Sequence, residues 1–330
     1  MPGQNWLSDP SGAYFSNDKL SRDLIAKAQP MMRFRQFVNT SDEFGKREGQ
    51  NLLFDKVLDV DTAGGAIAEG QPIPRTGFKI RQGVCKAIPY GNSIPWTEEF
   101  ENFSEFDVRD PIQSRLIDDM AKTIDRAVEA QFRATHITYV PLTTGSNTDF
   151  DWQVEGGNTV SSNQRAYITL TDIKNIVDAL KSGVYANHAN VVRATAAPVP
   201  TYDSENYMSI LSTGGCRNMV DDAEWREEVK FGDPNRFWSG EVGRIYRTRF
   251  VEENHILDQT MAATGDTLGY VFGKEAVLET RVVPEEIRRG IPGDFGRDRA
   301  LAYYALLGHK IMWEFDATYE PDNRIVRIGW

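Results

Sequence analysis

Residues 51–90 read NLLFDKVLDVDTAGGAIAEGQPIPRTGFKIRQGVCKAIPY, and no other stretch constrains the architecture of the chain as strongly. Branched apolar residues roughly alternate in NLLFDKVLDV and again in FKIRQGVCKAIPY, which is the pattern of a β-strand. The segment between the two runs, Asp61 to Gly77, is rich in glycine and proline. The stretch therefore predicts a long β-hairpin. Because an isolated two-stranded ribbon is marginally stable, this hairpin needs a surface to pack on, such as a neighbouring chain.

The tip of the hairpin contains the residues that we expect to act between chains. Its few apolar side chains cannot form a core of their own. Ordering such a loop costs roughly 1–2 kcal/mol per residue in backbone entropy, so contacts with neighbouring chains must offset that cost. The residues predicted to make these contacts are Ala63, Gly64, Gly65, Ala66, Ile67, Glu69, Pro72, Ile73 and Pro74.

A long helix is predicted next. Asp110 provides an acceptor for an N-cap, and Pro111 would occupy the first helical position, where its missing N–H costs nothing. Apolar residues then recur every four positions, without Gly or Pro, as far as His136. At 1.5 Å per residue this gives about 38 Å of helix. The opposite, polar face includes Asp125 and Glu129, and the face expected to be buried includes Ile112, Leu116, Met120, Ile124 and Val128.

The rest of the chain predicts an extended N-terminal region and a mixed α/β body. Residues 1–50 contain one short amphipathic stretch, Leu20 to Ala28, and residues 141–164 are polar and typical of a surface loop or small hairpin. Thr171 is predicted to cap a second helix that Gly183 ends. Gly214 and Gly215 are interpreted as a turn before a charged helical piece at 219–231. Strand-like runs lie at 189–200, 243–253, 268–283, 309–320 and 323–330.

Composition narrows the functional classes. The chain has 330 residues, 40% of them hydrophobic and 26% charged, so a large core is possible and wholesale disorder is not expected. With 37 basic and 48 acidic residues the net charge is −11, which disfavours coating of a nucleic-acid backbone. We predict no membrane-spanning helix and no secretion signal. Two cysteines form no disulfide framework and fit a reducing compartment.

Motifs for catalysis are not found. The four histidines, His136, His188, His255 and His309, are far apart in sequence and have no metal-ligand spacing, and Cys85 and Cys216 are isolated. Acidic doublets are abundant, but adjacent carboxylates diverge rather than face each other across a cleft. No phosphate-binding loop or nucleophile elbow occurs. We therefore predict no catalytic residue, metal or cofactor, and leave open an acidic hydrolase whose carboxylate pair comes from distant residues.

The chain resembles the major capsid proteins of tailed bacteriophages with the Hong Kong 97-type fold, most closely the branch typified by N-four-like podophages. The resemblance lies in NLLFDKVLDVDTAGGAIAEGQPIP with the following strand to Tyr90, in Phe237 to Tyr246 (FWSGEVGRIY) with the RFVEE run after it, and in the closing NRIVRIGW. The chain departs from the family pattern at residues 141–164 and from Thr201 to Cys216.

This resemblance implies an α+β fold divided into named parts. Residues 1–50 would be the N-terminal arm and 51–90 the extended E-loop. Residues 91–140 and 276–330 would form the peripheral domain around the long spine helix, residues 141–164 a loop insertion, and residues 165–275 the axial domain.

The resemblance also implies a structural function. Copies of the chain would form hexamers and pentamers that close into an icosahedral head in the host cytoplasm and remain in the virion. Scaffold, portal and decoration proteins are expected partners, and packaged double-stranded DNA would be enclosed without sequence-specific contact. The negative charge agrees with a container that must not bind its genome tightly. Another virion component, and a cellular nanocompartment shell with the same fold, are the alternatives besides the hydrolase.

Overall fold

The computed structural model describes residues 32–42, 49–60, 64–104, 107–142, 150–154, 166–187, 190–231, 240–256, 267–315 and 322–329. Within them the helices, numbered in chain order, are α1 Glu98–Phe103, α2 Arg109–Arg133, α3 Leu170–Ser182, α4 Thr213–Val220 and α5 Ala223–Phe231. Short 3₁₀ turns lie at Arg35–Phe37 and Asp294–Gly296.

The strands follow the same numbering. They are β1 Asn39–Ser41, β2 Asn51–Val60, β3 Phe78–Lys86, β4 Ile88–Thr97, β5 Ile137–Pro141, β6 Phe150–Val154, β7 Val184–Ala186, β8 Val192–Thr195, β9 Tyr207–Ser212, β10 Glu241–Ile245, β11 Thr248–Glu253, β12 Thr267–Phe272, β13 Val277–Arg289, β14 Asp298–Ile311 and β15 Ile325–Gly329.

Four of these strands form a sheet in the order β1-β13-β14-β4. Strand β4 pairs antiparallel with β14 over the whole length of β4, from Ile88 opposite Leu307 to Thr97 opposite Asp298. Helix α2, the predicted spine helix, packs on this sheet through Ile112 and Leu116, which contact Leu301 and Tyr303. The predicted pairing of the long hairpin is also present, since β2 and β3 run antiparallel with Leu53 opposite Val84.

A second, seven-stranded sheet has the order β10-β11-β9-β12-β15-β5-β6. Its main core lies against α3, where Ile173, Ile176 and Leu180 are buried with Trp152 and Tyr185. The charged helical piece predicted at 219–231 also contributes to this core, because the Trp225 ring packs edge-on against that of Phe250 with centroids 5.3 Å apart. Residues 141–164, predicted as a surface loop or small hairpin, include strand β6, which pairs antiparallel with β5 and buries Trp152.

The C-terminal end of α2 joins the two sheets. Val128 and Phe132 are fully buried with Tyr270 and Phe272 of β12. Phe34 lies 5.6 Å from Phe132 between ring centroids, and β1 pairs parallel with β13. Part of the predicted N-terminal arm is thus built into the core. The predicted helix from Leu20 to Ala28 falls outside the described residues.

The limits of α2 correct the predicted ones. The helix begins at Arg109 because the Asp107 carboxylate accepts the Arg109 N–H at 3.0 Å, so Asp110 is not the cap. It ends at Arg133 and not at His136. Thr135 leaves the helix since its hydroxyl donates to the Ile325 carbonyl at 2.6 Å and thereby ties the chain to β15.

Two other predicted helix boundaries were wrong. Helix α3 is capped by Thr169 and not by Thr171, because only Thr169 stands three residues before Asp172 and completes the reciprocal capping box. Gly183 ends the helix as predicted, with φ of 71°. Gly214 and Gly215 lie in α4 and not in a turn, since the Ser212 hydroxyl accepts the Gly215 N–H at 3.1 Å and caps the helix.

The strand-like runs also need correction. The run 243–253 is split between β10 and β11 by a turn at Tyr246 and Arg247, both with positive φ. The run 268–283 is divided between β12 and β13, and the strand expected at 309–320 instead spans Asp298–Ile311. The limits of β14 are set by its long-range pairing with β4 and β13. Among the described residues no helix has the length and apolarity needed to cross a membrane.

Candidate assembly surfaces

One face of the hairpin is apolar and exposed. Three cross-strand pairs cover it, namely Leu53 with Val84, Val57 with Ile80, and Val60 with Phe78, the last brought into line by a bulge. We call these six side chains the outer face, and between 46% and 62% of each is exposed. Asp55 lies in the same row and accepts a hydrogen bond from Gln82 at 3.1 Å. Exposed apolar patches with few polar residues are typical of protein contact sites.

The opposite face fixes the root of the hairpin to the body. The Phe54 ring packs across Gly83 on the neighbouring strand, and a Cβ at that position would displace the ring. Lys56 is only 7% exposed, with its ammonium 5.6 Å from the Trp313 ring centroid. The Arg324 guanidinium packs on the same Trp313 ring at 4.1 Å. The root is therefore held in place while the outer face remains uncovered.

The tip of the hairpin projects beyond these strands. Residues 64–77 are all exposed, including Ile67 and Ile73, at 48% and 77%. The bend depends on Gly70, which has φ of 83°, and on a backbone hydrogen bond from Gln71 to Ala68 at 3.1 Å. Of the predicted tip residues, Ala63 lies outside the described residues. That the tip acts between chains stays a prediction.

The predicted residues of the spine helix lie inside the molecule. Ile112, Leu116, Ile124 and Val128 are buried, and Met120 is partly buried between two clusters. Four of the five pack in the core, and Met120 remains partly exposed. Asp125 and Glu129, expected on the polar face, are buried too, at 3% and 1% exposure.

Sequence reasoning missed a second apolar projection. The loop between β13 and β14, residues 290–297, holds Ile291 and Phe295 almost completely in solvent, at 96% and 107% exposure. Asp294 and Phe295 have φ of 44° and 55°, a conformation that is strained for a bulky side chain. The sequence did contain one signal for this projection, namely the aromatic Phe295 within the turn sequence PGDFG at 292–296, where polar residues are usual.

A groove of about 550 Å³ lies at the base of this projecting loop. Its apolar lining includes Trp96 and Leu301, and Arg109, Arg289 and Arg299 line it as well. Arg299 donates to Glu98 at 2.9 Å and to Glu101 at 2.6 Å. Burial opposes ionisation of Glu101, but hydrogen bonds from Trp96 and Arg299 outweigh it and lower the pKa of Glu101.

The histidines do not converge. His136 lies 3.4 Å from Glu314 and His309 lies 3.4 Å from Glu279, on different parts of the molecule. Burial, together with Arg126 and Lys122, lowers the pKa of His255 to about 4, and His188 lies outside the described residues. The described part of the chain contains no group of three His, Cys, Asp or Glu residues able to hold a metal ion.

Both thiols are buried and free. Burial raises the pKa of Cys85, and burial with the nearby Glu252 raises that of Cys216 to about 12. Each thiol is therefore protonated at neutral pH, unlike the reactive thiolate that a nucleophile requires. The geometry gives these cysteines a packing role.

Comparison with solved structures identifies the fold. The chain superposes on the head structure of Helicobacter pylori bacteriophage KHP40 with a TM-score of 0.67 at 12% identity, covering 94% of each chain. It matches the capsid of Ralstonia phage GP4 at 0.65 and 14% identity, over 97% of this chain and 95% of that one. The capsid structure of cyanophage P-SCSP1u gives 0.64 at 14%, over 94% and 92%.

These likenesses extend over almost the whole chain and confirm the predicted α+β phage-capsid fold. The division into arm, E-loop, peripheral and axial domains stays a prediction. No protein-family model and no curated protein matches the sequence.

Proposed function

We propose that this chain, which has the fold of phage capsid proteins, is a major capsid protein whose copies assemble into hexamers and pentamers of an icosahedral phage head. The outer face of the hairpin is the observation that carries the proposal. Fully burying an exposed Val, Leu, Ile or Phe side chain contributes about 1.5–3 kcal/mol, and roughly half of each outer-face side chain is still exposed. A neighbouring copy that covers six of them would therefore gain much of the free energy that association needs.

The projecting loop supports a closed shell rather than a dimer. The ladder of β4 with β14 runs for ten residue pairs, or about 30 Å. The hairpin leaves this sheet beside Ile88, and the projecting loop leaves it beside Asp298. Two apolar elements at opposite ends of one sheet contact different neighbours, and head-to-tail contacts of this kind generate rings and larger assemblies.

Electrostatics supports a container for double-stranded DNA without sequence-specific contact. The net charge of −11 opposes tight binding to phosphates. We expect the shell to form in the host cytoplasm, with scaffold, portal and decoration proteins as further partners, and to persist as the capsid of the virion.

An enzymatic function is less well supported. A hydrolase would need two carboxylates that act together, and the candidates for such a pair are Asp125 and Glu253. These side chains are 3% and 0% exposed. Neither carboxylate is open to solvent among the described residues, so this pair lends no support to the hydrolase alternative. A nanocompartment shell of the same fold would be distinguished by particles that enclose protein rather than DNA.

The test is assembly itself, with the chain produced alone and with a scaffolding protein. We expect sedimentation velocity and negative-stain microscopy to reveal shells or capsomers. Replacing residues 61–77 by Asn-Gly should leave the circular dichroism spectrum nearly unchanged and make assembly fail or become irregular. A compact monomer at every protein concentration and ionic strength would refute the capsid function, and normal shells from the shortened chain would refute a role for the tip.

A further inference from the structure

Two buried carboxylates lie where residues 33–37 meet the rest of the molecule. Asp125 of α2 accepts the backbone N–H of Arg35 at 3.0 Å, and the backbone N–H groups of Arg33 and Phe34 also donate to this carboxylate. Consecutive N–H groups that converge on one anion form a binding concavity. Asp125 therefore caps the 3₁₀ turn Arg35–Phe37 from another element, and Phe34 and Phe37 are buried beside it.

The second carboxylate belongs to Glu253 at the end of β11. It accepts the backbone N–H of His255 at 3.0 Å, and Arg126 of α2 donates to the His255 ring, which holds this turn beside Asp125. The remaining oxygens, Asp125 Oδ2 and Glu253 Oε2, are buried with no hydrogen-bond partner in the part of the chain that the structure describes. Each acid thus satisfies backbone donors with one oxygen only.

Charged groups from every packed element surround the two acids. From residues 33–37, Arg33 donates to the Glu252 carbonyl, and Arg35 pairs with Glu279 and Glu285 of β13. Helix α2 adds Lys122, Arg126 and Glu129, and the turn after β11 adds His255. Tyr270 of β12 donates to Glu129, and His309 of β14 lies against Glu279. The charge of Arg35 lowers the pKa of Asp125 and that of Arg33 lowers the pKa of Glu253, but burial of both carboxyls, together with the Asp125 charge beside Glu253, outweighs the two arginines.

We propose that Asp125 and Glu253 form a proton-operated latch, which holds residues 33–41 against the body while the pair retains a proton and weakens when both carboxyls ionise. The latch acts within one chain, so it does not depend on the proposed capsid function. Residues 33–41 lead from the N-terminal region into β1 and the core, and their release would uncover Phe34 and Phe37.

The direction of the pH dependence follows from the number of protons bound in the latched and released states. Burial raises the pKa of Asp125 to about 6, and burial with the Asp125 charge raises that of Glu253 to about 7. Since the latched state holds its protons more tightly than the released state, a rise in pH favours release. The stabilisation is complete below the ordinary carboxyl pKa and is lost as the pH passes through 6 to 7. For Asp125 alone this gives about a tenfold weaker latch at pH 8 than at pH 5.

Hydrogen exchange on the unassembled full-length chain tests the latch. After correction for intrinsic exchange, we expect the protection of amides 34–38 to fall about tenfold or more between pH 5 and pH 8. The double variant Asp125→Asn/Glu253→Gln keeps the acceptor oxygens and removes the titration, so its protection should vary little with pH. Asp118→Asn, on the same helix at a partly exposed site, should retain the wild-type dependence.

Wild-type protection that does not change with pH would overturn the proposal, without any need for a folded variant. So would a wild-type slope that persists in the double variant. If the double variant fails to fold, Glu253→Gln alone serves, because removing its charge should reduce the slope. An unchanged slope in that single variant also counts against the latch.

Discussion

The hairpin and the spine helix are both long, regular and amphipathic, yet they use their apolar residues in opposite ways. The helix directs Leu116, Ile124 and Val128 into the core, where 1% or less of each is exposed. The hairpin directs Val57 and Ile80 outward, where 62% and 58% are exposed. The helix thereby stabilises the chain itself, whereas the outer face of the hairpin leaves apolar side chains uncovered, where we propose that neighbouring chains contact it.

The largest expected effect comes from the outer face. The substitutions Val57→Asp and Ile80→Lys place opposite charges on a cross-strand pair. The pair still stabilises the pairing of β2 with β3, and the net charge is unchanged. We expect the free energy of unfolding to change by less than about 1 kcal/mol. Assembly should require at least about a hundredfold more protein, since two apolar contacts are lost in each interface. Sedimentation velocity against concentration measures this.

Tyr167→Asp is the matched control. Tyr167 is 54% exposed but lies outside the hairpin and the projecting loop. This variant should assemble like the wild type. If it fails to the same degree, or if Val57→Asp/Ile80→Lys assembles normally, the contrast between the two regions is wrong.

The next effect concerns the helix. Ile124 is completely buried and packs on Ala305 and Leu307 of β14, so Ile124→Ala should lower the free energy of unfolding by about 2–5 kcal/mol. Urea denaturation, monitored by circular dichroism on the assembly-deficient Val57→Asp/Ile80→Lys background, isolates this effect from assembly. Ile117→Ala, on the same helix at a side chain that is 42% exposed, should cost less than about 1 kcal/mol. Equal losses would show that α2 has no preferred buried face.

Both elements could be predicted because their signals are local. Alternation at 51–60 and 78–90, and the four-residue period from Ile112, depend only on neighbouring residues. The second run was predicted as one strand, but the structure divides it at Ala87 between β3 and β4. The ends of the helix could not be predicted as well, since Asp107 and Thr135 act there through hydrogen bonds that the apolar period does not encode. For Thr135 the partner is the backbone of Ile325, which is distant in sequence.

The candidate assembly surfaces and the buried acids could be predicted less well from the sequence. An exposed Ile291 or Phe295 has no periodic signature, because the pattern rules assume that large apolar residues are buried. Asp125 looked like a residue of the polar helix face, and only the distant Arg35 backbone reveals why it is buried. Sequence patterns thus identify the elements, whereas the burial of a charge depends on what the fold brings against it.

The smallest effect is expected at Lys56, where the root of the hairpin contacts the body. Its stem is buried at the root of the hairpin, and its ammonium lies 6.0 Å from the Phe54 ring centroid and 5.6 Å from that of Trp313. At these distances a cation–π contact contributes about 0.5–2 kcal/mol, while the methylene groups of a lysine stem also cover apolar surface. Lys56→Met keeps most of the stem and removes the charge, and Lys56→Ala removes both. In urea denaturation we expect the free energy of unfolding to fall by about 1 kcal/mol for Lys56→Met and by more for Lys56→Ala.

Equal losses would assign the anchoring to the charge alone. A stability for Met equal to or above that of the wild type would assign it to apolar packing, and the hairpin root would then be held by the same force that buries the spine helix.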